Sequence, residues 1–163
     1  MIQNEDPVVA NSLWSATANP TPDCPELRAT VEADVAIIGA GFTGLSAALY
    51  LAKLCQRVVV LEAYTSGWGA SGRNGGQVNP GLIENPEHAI AKFGPQMGQR
   101  MIKMSGDAAK LVFDLIAQHE IQCDARPVGW LRAAHNPAGL RNLEQKARQW
   151  EAHGAIIQRL NAT

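Results

Sequence analysis

Cysteine is scarce. Cys24, Cys55 and Cys123 are the whole complement of a 163-residue chain, far apart and without a C-x-x-C pair. That distribution suits neither a disulfide framework nor a thiolate metal site, so reduced thiols in a cytoplasmic protein are expected. Metal-ligand spacing is also missing among the four histidines, and His88, His119, His135 and His153 read as solvated or structural. Charge of one sign is absent too. With 14 basic and 15 acidic residues the formal net charge is −1, which argues against a general nucleic-acid surface. The opening "MIQNEDPVVANSLW" has no basic segment followed by an apolar one, so it does not read as a secretion signal. No repeat or low-complexity tract interrupts the chain.

What is present is enough apolar residue, 46%, to build a core in one domain of ordinary size. Residues 1–33 are polar and carry Pro7, Pro20, Pro22 and Pro25, which predicts an extended arm, anchored by Leu13 and Trp14. Residues 34–163 form the folded body. Its most apolar stretch, Val35 to Ala52, has no charge and the length of a membrane helix. Three glycines crowd its first half, where helix interiors pay for glycine in entropy, so it reads instead as strand, turn and helix. The strand is 34–38, the glycine turn 39–44 and the helix 45–54. A second buried strand, "RVVVL" at 57–61, ends at Glu62. Strand, helix and strand within about thirty residues predict a right-handed βαβ unit with parallel strands, hence an α/β fold.

Further on, Ile90, Phe93, Met97, Met101, Met104, Ala108, Leu111 and Leu115 recur at helical spacing and predict a core-facing stripe, kinked near Gly94–Pro95. Methionines at such spacing are read as gap-filling core, not soft-metal ligands. "PVGWLRAA" at 127–134 and "AIIQRL" at 155–160 are read as strands. Between them Leu140, Leu143, Ala147 and Trp150 mark an amphipathic helix that Gly154 ends.

"GAGFTG" at 39–44 fits G-x-G-x-x-G. The pattern alone is weak, but here it follows an apolar strand, opens a helix, is succeeded by small Ala48, and has Glu62 at the end of the next strand. Gly39 allows the tight turn, Gly41 lets a pyrophosphate approach the backbone, and Gly44 permits close helix–strand contact. The helix N-terminus offers free N–H groups and the positive end of its dipole. Glu62 stands where adenosine ribose hydroxyls would donate, and its charge would repel the 2′-phosphate of NADP. On this fingerprint FAD and NAD both remain open.

A second glycine-rich segment, "SGWGASGRNGGQV", follows at 66–78. An NAD domain has no need of it there, whereas FAD lies extended and its diphosphate and ring use further backbone contacts. "ADVAIIGAGFTGLSAALYLA", "VVVLEA" and "GWGASGRNGGQV" together resemble the start of the D-amino-acid-oxidase-like family of FAD-dependent oxidoreductases, on its gamma-glutamylputrescine oxidase branch. The likeness runs from about Leu13 to Val78 and continues more loosely to the end.

The resemblance implies a Rossmann-like FAD-binding domain and oxidation of an amine or amino acid at the carbon bearing nitrogen, by hydride transfer to flavin. Carried over residue by residue, Gly39, Gly41, Phe42, Thr43 and Gly44 would hold the pyrophosphate. Glu62 and Ala63 would lie at the ribose and Ala70 and Ser71 by the phosphates. Arg73, Asn74, Gly75, Gly76 and Gln77 would run toward the flavin ring. Family members are several hundred residues long and return to the FAD domain late in the chain. The expectation is therefore an incomplete domain with the start of a substrate-domain region. No catalytic residue is assigned, and a complementary C-terminal chain would complete the site. Two other functions stay in view: an NAD-binding dehydrogenase module and an inactive truncated product.

Overall fold

The computed structural model describes residues 11–160, so the first ten residues of the expected arm lie outside it. In chain order the elements are α1 (Leu13–Thr17), β1 (Val35–Ile38), α2 (Phe42–Lys53), β2 (Val58–Leu61), a short 3-10 turn (Ala70–Gly72), α3 (Pro86–Gln118) and α4 (Pro137–Ala152). They group into two compact units that divide between Gln77 and Val78.

The first unit is the βαβ crossover that the sequence predicts. β1 and β2 pair in parallel, Val35 opposite Val58 and Ile38 opposite Leu61. β-branched residues at six of these eight positions suit the pleated surface. The register is pinned at its lower end by an ion-paired fork. Asp34 accepts from the Arg57 backbone N–H at 2.8 Å and from its guanidinium at 2.9 Å. Those bonds hold the Asp34 carboxyl below its ordinary pKa. At the upper end the Gly39 N–H donates to Leu61 O at 2.7 Å, which carries the ladder one step into the turn.

Helix α2 begins three residues earlier than expected. Gly41 is its N-cap, and the Leu45 N–H already donates to Gly41 O at 2.9 Å. Gly44 therefore belongs to the first helical turn, not to the loop. The helix ends in a Schellman motif: Cys55 N–H donates to Ala52 O at 2.9 Å and Gln56 N–H to Leu51 O at 3.1 Å. That closure puts Cys55 at φ 58°, a left-handed conformation that a Cβ disfavours. Cys55→Gly should stabilise the chain by up to about 1 kcal/mol, since relief of strain exceeds the added entropy of the unfolded chain. A lower urea midpoint for C55G would contradict this.

The arm is not wholly extended. Ser12 caps α1 with a capping box closed by Ser15, at 3.2 and 2.9 Å. Leu13 is 68% exposed and anchors nothing; Trp14 alone of the pair finds a seat, on Gly76.

In the second unit Asn85 and Pro86 start α3 and Asn136 and Pro137 start α4, both with proline in the first turn where its missing N–H costs nothing. Gly94 (φ 78°, ψ 164°) breaks α3 just before Pro95, as the sequence predicts. The fold-back brings Gly98 so close to Ile90 that a Cβ would stand 2.6 Å from the Ile90 Cα. The methionine stripe is not core here: Met97 is half-exposed and Met104 largely exposed. The buried positions of α3 are Pro86, Ala89, Gly98 and Ile102 instead. After the kink the buried face is the one marked by Gly98 and Ile102, one position round the helix from Met97 and part-buried Met101.

α4 follows its predicted periodicity: only Leu140 is half-exposed, Leu143 and Ala147 are part-buried, and Trp150 is buried against Gly81. Gln149 is buried beside it and donates to Glu87 at 2.8 Å. The Lys146 ammonium donates to Leu82 O and Ile83 O at 3.1 and 2.7 Å, and burial pushes its pKa down. Gly154 (φ 88°) closes the helix as expected.

Residues 127–134 and 155–160 are irregular, not strands. Among the described residues the single ladder is β1–β2. Strand propensity needs a neighbouring backbone to exchange hydrogen bonds with. Gly129 (φ 86°) interrupts the first segment, and Arg159 is tied back to Glu151 of α4 by two bonds of 2.7 and 2.8 Å.

Candidate cofactor site

The end of β1, the start of α2 and the segment after β2 meet at one place. Ala40, between the first two glycines of the fingerprint, is buried, with 3% of its surface exposed. Its N–H donates to Glu62 Oε2 at 2.7 Å, and its carbonyl accepts from Gly67 N–H at 2.9 Å. The other Glu62 oxygen accepts from Ala63 N–H at 2.8 Å and Tyr64 N–H at 3.3 Å. Glu62 thus ties the tip of one strand to the turn after its neighbour. Chiefly the Ala40 amide holds its carboxyl below the usual glutamate range; burial opposes it, and the Tyr64 and Ala63 amides add smaller effects in the same direction as Ala40.

Gly44 shows why the third glycine is needed. A Cβ there would run into the Gly39 carbonyl oxygen and stand 3.2 Å from Ile37 Cγ2. Gly39 itself adopts φ 100°, which only glycine takes without strain.

At the N-terminus of α2 the cap is supplied from outside the helix. Gly41 has no side chain to offer, and Ser71 Oγ accepts from the Phe42 N–H at 2.9 Å. A Cβ on Gly41 would stand 2.9 Å from that oxygen. No acidic residue lies in the first turn, so the positive end of the helix dipole is not neutralised there. Thr43 and Phe42 are exposed at this end.

Ser71 is placed by the loop around it. Ala70–Gly72 forms a 3-10 turn, Asn74 Nδ2 donates to Ser71 O at 2.5 Å, and Gly76 N–H donates to Asn74 Oδ1 at 2.8 Å. Arg73 turns back on the same segment: its Nε donates to Trp68 O at 3.1 Å and its guanidinium lies 5.2 Å from the Trp68 ring centroid. Tyr64 packs on Trp68 at 4.3 Å between centroids. A cleft of about 190 Å³ opens beside Ser71, walled by Trp14 and Phe42.

The structure therefore gathers Gly39, Gly41, Phe42, Gly44, Glu62, Ala63 and Ser71 about the α2 N-terminus, with Asn74 and Gly76 in the loop that carries Ser71. Gly75 and Gln77 are exposed, and no neighbouring atom comes within 4 Å of a Cβ placed on Gly75. Sequence reasoning missed Ala40, whose two backbone bonds join the glycine turn to the later segment. Its signal was only that a small residue fills a fingerprint position left free by the pattern.

Comparison with known proteins identifies the family. The DAO family model, FAD dependent oxidoreductase, matches residues 34–163. The chain belongs to that family. Gamma-glutamylputrescine oxidoreductase of Escherichia coli (strain K12) is 35% identical over 144 residues, which are 88% of this chain and 34% of that protein. Probable oxidoreductase OrdL of Haemophilus influenzae is 42% identical over 100 residues, 61% of this chain and 23% of that protein. The protein of the same name from Rhizobium meliloti is 36% identical over 124 residues, 76% of this chain and 29% of that protein. The chain spans about a third or less of the length of the relatives it matches. No solved structure matches it significantly. Among the described residues no helix is long and apolar enough to cross a membrane, so Val35 to Ala52 is strand, turn and helix as expected.

Proposed function

We propose that this chain binds the ADP half of FAD and belongs to a cytoplasmic enzyme that oxidises the carbon–nitrogen bond of an amine or amino acid. The observation that carries the reading is the α2 N-terminus at Gly41, where the Ser71 hydroxyl caps the helix from a separate loop. Ser71 accepts from Phe42 N–H and keeps its own proton to donate to a phosphate oxygen. The arrangement suits a pyrophosphate, because the bare Gly41 lets the Ser71 hydroxyl come up to the positive end of the helix dipole. Glu62 supports the ribose assignment by its placing: three N–H groups use part of a carboxylate that has about four acceptor sites, leaving room for a hydroxyl.

Bound FAD would supply the two-electron acceptor for hydride from the carbon beside nitrogen. The chain's own residues would bind and orient it: Gly39, Gly41, Thr43 and Gly44 at the pyrophosphate, Ala70 and Ser71 beside it, and Arg73 to Gln77 leading toward the ring. A gamma-glutamylputrescine-like substrate is the reading that the name of the Escherichia coli relative supports. Residues 34–163 would be the N-terminal part of the FAD-binding domain, completed by further polypeptide.

The test is direct. The purified protein is expected to carry yellow flavin, and Ser71→Ala should weaken FAD binding about tenfold, the worth of one hydrogen bond to a charged group. Colourless protein that takes up NAD tightly would replace this reading with a dehydrogenase module. Unchanged FAD affinity in S71A would remove Ser71 from the phosphate site.

A further inference from the structure

Resting on the cofactor reading above, we propose that Trp14 is a positioning residue of the FAD site. It acts through Gly76 on the loop that presents Ser71.

The contact is specific. A Cβ on Gly76 would stand 3.0 Å from two carbons of the Trp14 indole, Cζ2 and Cη2, so the ring lies flush on the glycine. Gly76 is at φ 68°, a conformation for which glycine is suited and which leaves the Cα bare for the ring. From there a chain of bonds runs to the cofactor turn. Gly76 N–H donates to Asn74 Oδ1, Asn74 Nδ2 donates to Ser71 O, and Ser71 Oγ accepts from Phe42 N–H at the head of α2. Beyond the ring and this chain of bonds the segment is open: Gly75 has nothing within 4 Å of a Cβ, and Asn74 to Gln77 are exposed. Glycine-rich backbone has the most freedom to lose, so an external prop is worth most there.

The arm is built to deliver this side chain. The capping box of Ser12 and Ser15 closes the one turn that carries Trp14, and Thr17 Oγ1 donates to Leu13 O at 3.0 Å. Trp14 is half-exposed, so it is not a core residue whose loss would empty the unit. It also forms one wall of the cleft beside Ser71, together with Phe42.

Two measurements on the full chain separate this role from cofactor binding itself. Limited trypsin digestion, followed by mass spectrometry, reads opening of the loop at Arg73 with no ligand added. Trp14→Ala should raise cleavage after Arg73 by about fivefold relative to cleavage after Arg57, and Trp14→Phe should restore most of the protection. FAD titration by flavin fluorescence should then show weaker binding in W14A and recovery in W14F, with little change in the urea midpoint. Equal cleavage at Arg73 in W14A and parent overturns the positioning role whether or not FAD binds. Faster cleavage in W14A with FAD affinity unchanged also overturns it, since the loop would then be held for another purpose. If the parent chain takes no FAD while Arg73 protection still depends on Trp14, the cofactor reading fails and the proposal falls with it.

Discussion

Gly44→Ala is expected to lower the stability of the chain by about 2 kcal/mol, although alanine is the better helix former. The propensity gain is at most about 1 kcal/mol. Against it, the new methyl group would overlap the Gly39 carbonyl and crowd Ile37 Cγ2 at 3.2 Å. The first obstacle is backbone at the turn between β1 and α2, so it cannot rotate away as a side chain would. Forcing a methylene into such a contact costs about 1–3 kcal/mol, and here the strain also reaches the Gly39–Leu61 bond that ends the strand ladder. Gly106→Ala makes the contrast. That glycine also lies inside a helix, and its Cβ would meet only Trp150 at an ordinary 3.7 Å. There the propensity term wins, and G106A should stabilise by up to about 1 kcal/mol. Urea unfolding of both variants measures the two signs. A G44A chain as stable as the parent would mean that helix and strand do not approach as closely as described. FAD affinity should fall in G44A as well, since the displaced turn is the one that faces the pyrophosphate in the proposed site.

Glu62→Gln should cost about 1.5–3 kcal/mol at neutral pH, because one amide oxygen cannot replace two carboxylate oxygens. The substituted side chain would have to abandon either the buried Ala40 N–H or the Ala63 and Tyr64 pair. The pH dependence carries a sign. The folded chain holds the Glu62 carboxyl below its ordinary pKa, chiefly through the Ala40 amide. The unfolded chain therefore takes up the proton first as pH falls. Glu62's contribution is full above about pH 5 and is lost as pH drops below about 4.3 and through the folded value. The stability gap between parent and E62Q should accordingly be widest near neutrality and narrow on the acid side. A gap that stayed constant from about pH 7 to about pH 3 would show that the carboxylate charge contributes nothing. The same variant should bind FAD more weakly, with the loss persisting at high salt if it comes from hydrogen bonding to ribose.

Local chemistry was legible wherever near neighbours in the chain decide it. Val35–Ile38 and Val58–Leu61 are strands because their branched side chains allow little else, and the crossover between them forces the parallel pairing. The Gly94 break and the Gly154 cap follow from backbone freedom at single residues. Where partners come from far away, the reading erred. The segments at 127–134 and 155–160 have strand-like composition, yet no described strand lies beside them. The methionine spacing of α3 was sound as periodicity, but the face that packs is the adjacent one, at Gly98 and Ile102.

The cofactor turn divides in the same way. Glycine spacing, the acidic residue after β2 and the second glycine-rich segment were legible in the sequence and carry the resemblance to the family, since each is a residue type at a fixed offset. Which groups actually meet was decided by folding. Ser71 reaches the Phe42 amide across 29 residues, Glu62 reaches Ala40 across 22, and Trp14 lies on Gly76 from the far end of the unit. No offset in the sequence encodes those contacts, because they arise only when the crossover closes and brings three separate loops to one helix end.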